Sequence, residues 1–319
     1  MKLLIIFVLT SIFLNLVCSE KCKSDNFDVL WRQVDIEEWK SGKIMDAHIN
    51  NPRIIAIDQT VNGASSKTVC KTTFMGLNNL FILRLNSSGI EQIEAKSFET
   101  NKRLYHIDLT ANELEEIAAD VFEGTNLRIL KLSQNKIKHI TASAFDNMAK
   151  LEILDLSYNM IETLNSEWFK NTNRMKFLIL TNNKITSLKS KVFKNLKGSN
   201  VGDLKPLNIY LENNTIQNIH KRAFDGVERL GNVHLEYNQI STLDKDTFSS
   251  LDINYLHLEY NLLTCVDGSL FTRISKGFLD GNPLACDCLR ELRLWSKENE
   301  NKLNVAYRTA ICVISEMLE

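Results

Sequence analysis

The feature that most constrains this chain is a repeat. From Leu80 onward apolar residues, an asparagine and a phenylalanine recur in one frame, with a period of about 24 residues. The clearest unit carries Leu151, Leu154, Leu156, Asn159, Ile161, Leu164 and Phe169. Counted from Leu151, apolar side chains fall at positions 1, 4, 6, 11, 14 and 19, and asparagine at 9. The frame fits units that begin at Leu80, Leu104, Leu127, Leu151, Met175, Pro206, Leu230 and Ile253, with a degenerate last unit from Ile274 to Asn282. Position 19 is Phe in all eight full units. Position 9 is Ser88 in the first and Asn112, Asn135, Asn159, Asn183, Asn214, Asn238 and Asn261 in the rest. Chance leucine periodicity does not put a phenylalanine in phase eight times and an asparagine seven.

Each position has a physical role. Positions 4 and 6 alternate with mostly polar residues, so they point inward from a short strand. Successive strands stack in parallel and form the inner face of an arc. Where the chain turns inward its backbone groups lose their partners, and an asparagine amide, donor and acceptor at once, can satisfy them. Positions 11, 14 and 19 fill the interior behind the sheet. One unit cannot bury its apolar face alone, so the units are stable only as a stack. The expected fold class is an α/β repeat solenoid with a parallel concave β-sheet.

The two ends point to an extracellular compartment. Lys2 precedes an apolar run over residues 3–17, and Val17 and Ser19 fit the −3/−1 rule for cleavage after Ser19. The run is shorter than the ~20 residues of a membrane span, so a cleaved signal peptide is expected. No later segment is apolar enough to span a bilayer, and residues 315–319 lack the tail of a lipid-anchor signal. The mature protein is expected to be soluble, outside the cell and without a membrane anchor. Six cysteines remain after Cys18 leaves: Cys22, Cys70, Cys265, Cys286, Cys288 and Cys312. Their even number and their place at the two ends suggest disulfides that close a stack with its own core.

The pattern L-x-x-L-x-L-x-x-N-x-L-x-x-L-x-x-x-x-F resembles that of extracellular leucine-rich-repeat proteins. Asn282-Pro283-Leu-Ala-Cys286-Asp-Cys288, through Trp295 to Cys312, resembles their cysteine-rich C-terminal cap. The resemblance covers roughly residues 54–312, and the layout is most similar to Toll-receptor ectodomains and the secreted leucine-rich immune proteins of insects. It implies a leucine-rich-repeat horseshoe with disulfide caps at both ends, ligand or partner binding, often on the concave face, and no catalysis. The usual cap has a fourth cysteine after the one matching Cys312, which this chain lacks; Cys265 is the candidate replacement. Cys286 and Cys288 are too close to pair easily with each other, so Cys265 and Cys312 each take one of them, in an order left open. Cys22 with Cys70 closes the other end. The implied plan is a signal peptide at 1–19, an N-terminal cap at 20–79 holding Trp31 and Trp39, eight repeats at 80–273, and the last repeat with the C-terminal cap at 274–319. Residues 197–205 exceed the period and form a loop bulging from the arc.

Positions 3, 5 and 7, flanked by 2 and 8, face outward from the sheet, and equivalent positions form columns about 4.8 Å apart. In the C-terminal half position 7 is acidic throughout: Glu212, Glu236, Glu259 and Asp280. Position 5 holds Tyr210, His234, His257 and Phe278, and position 8 holds Tyr237 and Tyr260. Stacked like charges repel unless a partner or cations neutralise them, and tyrosines are common interface anchors. These ten residues are therefore the candidate partner-binding patch. Duplication is the plainer account, because His-Leu-Glu-Tyr-Asn stands at both 234–238 and 257–261. Carboxylates beside the histidines favour the protonated rings, so affinity that changes with mild acid is a further expectation. The sequons at Asn86 and Asn213 are expected glycosylation sites, on the concave rim and beside the acidic column. Tyr105, His106, Arg128, Lys131 and Tyr158, between them, read as a solvated face.

No nucleophile motif, phosphate loop or H-E-x-x-H helix occurs, so an enzyme is not expected. His234 and His257 beside Glu236 and Glu259 raise the question of a metal. A metal site needs three or four converging ligands with supporting hydrogen bonds, so no metal and no cofactor are expected. With 38 Lys+Arg against 39 Asp+Glu the chain has no long-range field for nucleic acid. The expected function is recognition of a protein or a microbial surface ligand, in innate immunity or as an extracellular adaptor. A matrix, adhesion or developmental signalling protein is the alternative. Nothing in the sequence sets the oligomeric state.

Overall fold

The computed structural model describes residues 28–33, 40–43, 54–59, 67–146, 148–196, 206–227, 229–300 and 302–305. The expected signal peptide, Cys22, Trp39, the 197–205 loop and Cys312 lie outside the described residues.

A thirteen-stranded sheet is the spine of the molecule. From the strand Ile54–Gln59 to the strand Leu303–Asn304, neighbours run parallel in chain order. Two strands, Asp28–Gln33 and Lys40–Lys43, extend its amino-terminal edge in antiparallel pairing. The strands of the central repeats are short. In Ile153–Asp155, Leu154 is buried between two half-buried neighbours, and Ile129–Lys131 and Phe177–Ile179 repeat the pattern. A strand of three residues cannot stand alone; its edges are held by the repeats on either side. Behind the sheet Phe98, Phe122, Phe145, Phe169, Phe193, Phe224, Phe248 and Phe271 are all buried. Phe74, also buried and 5.7 Å from Phe98, extends the column one turn earlier. Val69, Phe74 and Leu77, all buried, thus pack as part of one more turn of the stack.

The turn out of each strand is governed by position 9. Asn159 donates from Nδ2 to the Leu132 carbonyl (2.9 Å) and the Leu156 carbonyl (3.0 Å), and its Oδ1 accepts from the Ile137 amide at 3.0 Å. Asn135, Asn183, Asn214, Asn238, Asn261 and Asn282 make the same three contacts one repeat apart. Ser88, at the start, donates to the Leu85 carbonyl and leaves its amide to Asn112. The residue before the asparagine is left-handed in every turn, from Ser87 (φ 54) through Tyr237 (φ 55) to Gly281 (φ 75).

One unit departs from the expected frame. Its position 1 is filled by Leu207, which pairs with Leu230 and is buried, and not by Pro206. The pairing slips by one residue between Leu207 and Ile209. Asn208 bridges the slip, accepting from the Asn232 amide at 2.9 Å. Gly231 and Asn232 together oppose Asn208, and a Cβ on Gly231 would stand 2.5 Å from Asn208 Oδ1, so glycine suits the bulge.

The C-terminal end is closed by the helix Cys286–Glu298, which buries Cys288, Leu289 and Leu292. Cys265 is bonded to Cys288, which resolves the choice the sequence left open. Cys70 and Cys286 are disulfide-bonded too, to partners outside the described residues. Trp295 lies against Phe271 at 6.3 Å and flat over Gly268, where a Cβ would come within 2.5 Å of the indole.

Two outcomes test this account. Asn159→Ala leaves the Ile137 amide buried without a partner and removes one of the two asparagine donors from each of the Leu132 and Leu156 carbonyls, and should cost about 2–4 kcal/mol. The measurement is the urea midpoint at unchanged slope. Gly231→Ala should cost about 1–3 kcal/mol through the Asn208 clash. In an Asn208→Gly background that added cost should fall below about 0.5 kcal/mol.

Candidate ligand-binding face

The sheet brings all ten candidate residues onto one face of the last four full strands. Because the strands run parallel and in register, residues at one repeat position stack directly: Tyr210 beside His234, His234 beside His257, and His257 beside Phe278. Their rings form one column, with centroids 4.7, 4.4 and 4.5 Å apart and planes within 8° of parallel. A second stack lies at the rim, where Tyr237 and Tyr260 face each other at 4.5 Å and are 51% and 53% exposed. Tyr260 also covers Gly281, whose Cβ would come within 2.6 Å of the phenol ring. Tyr255, 47% exposed and 6.4 Å from Phe278, adds apolar surface that the sequence reading missed. It stands at position 3, which is apolar or polar by turns and gave no column signal.

Between the ring stacks runs the carboxylate column. Glu236 Oε1 lies 2.9 Å from His234 Nδ1 and Glu259 Oε1 lies 3.2 Å from His257 Nδ1. Glu212 Oε1 accepts from the Thr181 hydroxyl at 2.8 Å, where the hydroxyl residues of earlier repeats meet the carboxylates. The second oxygens of Glu212, Glu236 and Glu259, and Oδ1 of Asp280, are buried without a hydrogen-bond partner. None of the four carboxylates pairs with a lysine or arginine among the described residues.

The electrostatics follow from this crowding. Burial works against a charge on His234, but the Glu236 hydrogen bond and the charges of Glu236, Glu212 and Glu259 outweigh it and raise its pKa. Burial likewise opposes a charge on Glu259, yet the His257 hydrogen bond, its own backbone amide and both imidazoles hold its carboxyl below the usual range. The Tyr210 phenol is pushed up by burial and by Glu212. A protonated His234 therefore belongs to the folded state more than to the unfolded one.

The N-terminal half of the same face is organised differently. Phe81 stacks on Tyr105 at 4.9 Å, and the Arg128 guanidinium stands 5.7 Å over the Tyr105 ring. Arg128 pairs with Glu152 at 3.2 Å, Glu152 with Lys176 at 2.7 Å, and Lys131 with Asp108 at 3.7 Å. On this face, expected to be solvated, Tyr158 is exposed and the Arg128 and Lys131 side chains are 41% and 42% exposed, with their charges paired to Glu152 and Asp108. His106 is half-buried with Nε2 unpartnered. Burial, helped by Lys131 and Arg84 and opposed by Asp108, keeps it below its ordinary pKa.

Comparison with known proteins agrees with this architecture. Residues 102–161, 125–185 and 208–263 match the family model described as leucine rich repeat. A stretch of 71 residues is 35% identical to mouse leucine-rich repeats and immunoglobulin-like domains protein 2, covering 22% of this chain and 7% of that protein. A stretch of 87 residues is 34% identical to the follicle-stimulating hormone receptor of Mesocricetus auratus, covering 26% of this chain and 12% of the receptor. The chain therefore spans a small part of the length of the curated relatives it matches. Among solved structures, a Toll–Spatzle complex from Drosophila superposes with a TM-score of 0.62 and 20% identity, over 75% of this chain and 32% of that one. This chain is a leucine-rich-repeat protein, and its solenoid resembles a Toll ectodomain in fold.

In chelator-treated buffer, the His234 ring protons should titrate with a midpoint above the ordinary 6.5. Glu236→Gln should return the midpoint toward that value. The sign for stability follows: the contribution of His234 is fully present below pH 6.5 and is lost as pH rises through the raised value. A midpoint at or below 6.5 by NMR would reject the arrangement.

Proposed function

We propose that this protein works outside the cell as a non-catalytic binding protein, in innate immune recognition or as an extracellular adaptor. It recognises a macromolecular partner with the concave face of its last four full strands. The observation that carries the reading is the column of Glu212, Glu236, Glu259 and Asp280, which has no lysine or arginine partner among the described residues and lies beside an exposed tyrosine stack. Stacked carboxylates cost free energy on their own, and a basic partner surface offsets that cost at the moment of binding. Paired tyrosines supply broad contact area with few rotamers to order.

The relatives support a protein or microbial surface ligand. The solved neighbour is described as a Toll–Spatzle complex, a molecular hub in Drosophila development and innate immunity, and one curated relative is a hormone receptor by name. Secretion is supported by the apolar run at 3–17 and by the disulfide chemistry. No helix among the described residues is long and apolar enough to cross a membrane. The plan of signal peptide, N-terminal cap, eight repeats and C-terminal cap belongs to the same reading. So do glycans at Asn86 and Asn213, whose residues are both exposed as an acceptor must be. The development named for the neighbour supports the second reading, adhesion or developmental signalling. Induction by microbial challenge favours the first reading, and restriction to embryonic tissue the second.

The test is affinity capture from extracellular fluid with the mature protein as bait and mass spectrometry as readout. A true partner should be lost with Glu236→Lys/Glu259→Lys. Tyr237→Ala/Tyr260→Ala should weaken it by about 2 kcal/mol or more, roughly thirtyfold. Lys131→Glu, on the N-terminal half, should leave it bound. Partners that bind both C-terminal variants normally would sink this assignment of the face.

A further inference from the structure

Glu236 follows the strand Arg229–His234 by two residues, and its Oε1 lies 2.9 Å from His234 Nδ1 on the same side of the sheet. His257 is the registered neighbour of His234 on the next strand. One ligand atom from each of His234, Glu236 and His257 lies within 4.8 Å of the other two. Their side chains are only 18%, 18% and 21% exposed, so the donors sit in the sheet's own wall and not on free-swinging tips. Glu259 Oε1 lies 3.2 Å from His257 Nδ1, as Glu236 Oε1 does at 2.9 Å from His234 Nδ1.

Three observations beyond spacing point to a cation. Glu236 and Glu259 each keep one oxygen buried with no donor, and an ionised carboxylate can only accept. The four stacked carboxylates have no lysine or arginine among the described residues, unlike the paired charges of the N-terminal half. Two imidazoles with one carboxylate are the donor set of many zinc sites. The sequence alone offered two histidines beside two glutamates; the register of the sheet is what makes three of them converge.

We propose that His234, Glu236 and His257 bind a divalent transition-metal ion, zinc by ligand type. The ion neutralises the middle of the carboxylate column. Binding requires one adjustment. The imidazole lone pairs lie in their ring planes, and the two rings now stack 4.4 Å apart at 5° to each other. An ion at about 2.0–2.1 Å from both nitrogens needs the planes to open toward each other. Rotation about the side-chain torsions does this without moving the backbone, because both rings border the open concave side. Zinc therefore exchanges part of the ring stack for metal–ligand bonds.

The experiment is calorimetric titration of the untagged, chelator-stripped mature protein with zinc chloride, with histidine ring protons followed by NMR in parallel. One zinc per chain is expected, and it should perturb His234 and His257 while leaving exposed His139 unchanged. His234→Asn, His257→Asn and Glu236→Gln, each verified as folded by circular dichroism, should weaken binding by about tenfold or more. His139→Asn should not. The NMR arm needs no variant, so a substitution that fails to fold does not block the test. Absence of saturable binding overturns the proposal. So does binding that the folded histidine variants retain, or zinc that perturbs His139 as much as His234.

Discussion

The whole molecule depends on a side-chain amide placed where the chain leaves the sheet. At that turn two carbonyls and an amide enter a space filled by leucine, isoleucine and phenylalanine, where no water reaches them. Asn159 and its counterparts satisfy all three, and each links its own turn to the turn before. Aspartate would lack the donor, and leucine would lack everything. Because every asparagine binds across a repeat boundary, the ladder also sets how repeats stack. The phenylalanines behind the sheet then fall into line, as Phe74 on Phe98 and Phe98 on Phe122 do.

The same ladder imposes a second constraint, and the candidate face inherits it. To aim the asparagine inward, the residue before it adopts the left-handed conformation in every turn. Glycine or asparagine takes that conformation with little strain; a tyrosine is disfavoured there by about a kcal/mol or more. Tyr237 and Tyr260 occupy it nonetheless, and the backbone turns both rings to the same side at the rim. Identical backbone in successive repeats thus converts a repeated residue into a stack. Duplication of His-Leu-Glu-Tyr-Asn explains how alike residues came to adjoin, but not how their like charges are tolerated. On the N-terminal half alternating charges cancel within the protein. On the C-terminal half they accumulate, and among the described residues Thr181 and the two histidines are the side chains that meet them.

Departures from regularity show where the repeat bends to other demands. At Leu207 the frame slips by one residue, and the slip survives because Asn208 replaces a ladder contact and Gly231 yields the space. At the C-terminus the apolar interior is closed by the helix Cys286–Glu298, pinned by the Cys265–Cys288 bond, with Trp295 lying over Gly268. A stack of turns has two raw ends, and bonds of this kind appear where a core would otherwise open to water.

Much of this was legible in the residues themselves. The period, the in-phase asparagine and the buried phenylalanine determined a parallel solenoid, since no other arrangement buries Leu154, satisfies Asn159 and repeats. Alternation within the strands also placed Tyr210, Glu212, His234, Glu236, His257, Glu259, Phe278 and Asp280 on one face, with Tyr237 and Tyr260 flanking them. What the residues did not carry is distance. Whether neighbouring charges pair or repel, which cysteine Cys265 takes, and whether His234, Glu236 and His257 converge all depend on strand register. Register is a property of the assembled sheet: it changed at Leu207 for want of one residue, and it paired Arg128 with Glu152 while leaving Glu236 and Glu259 to their histidines.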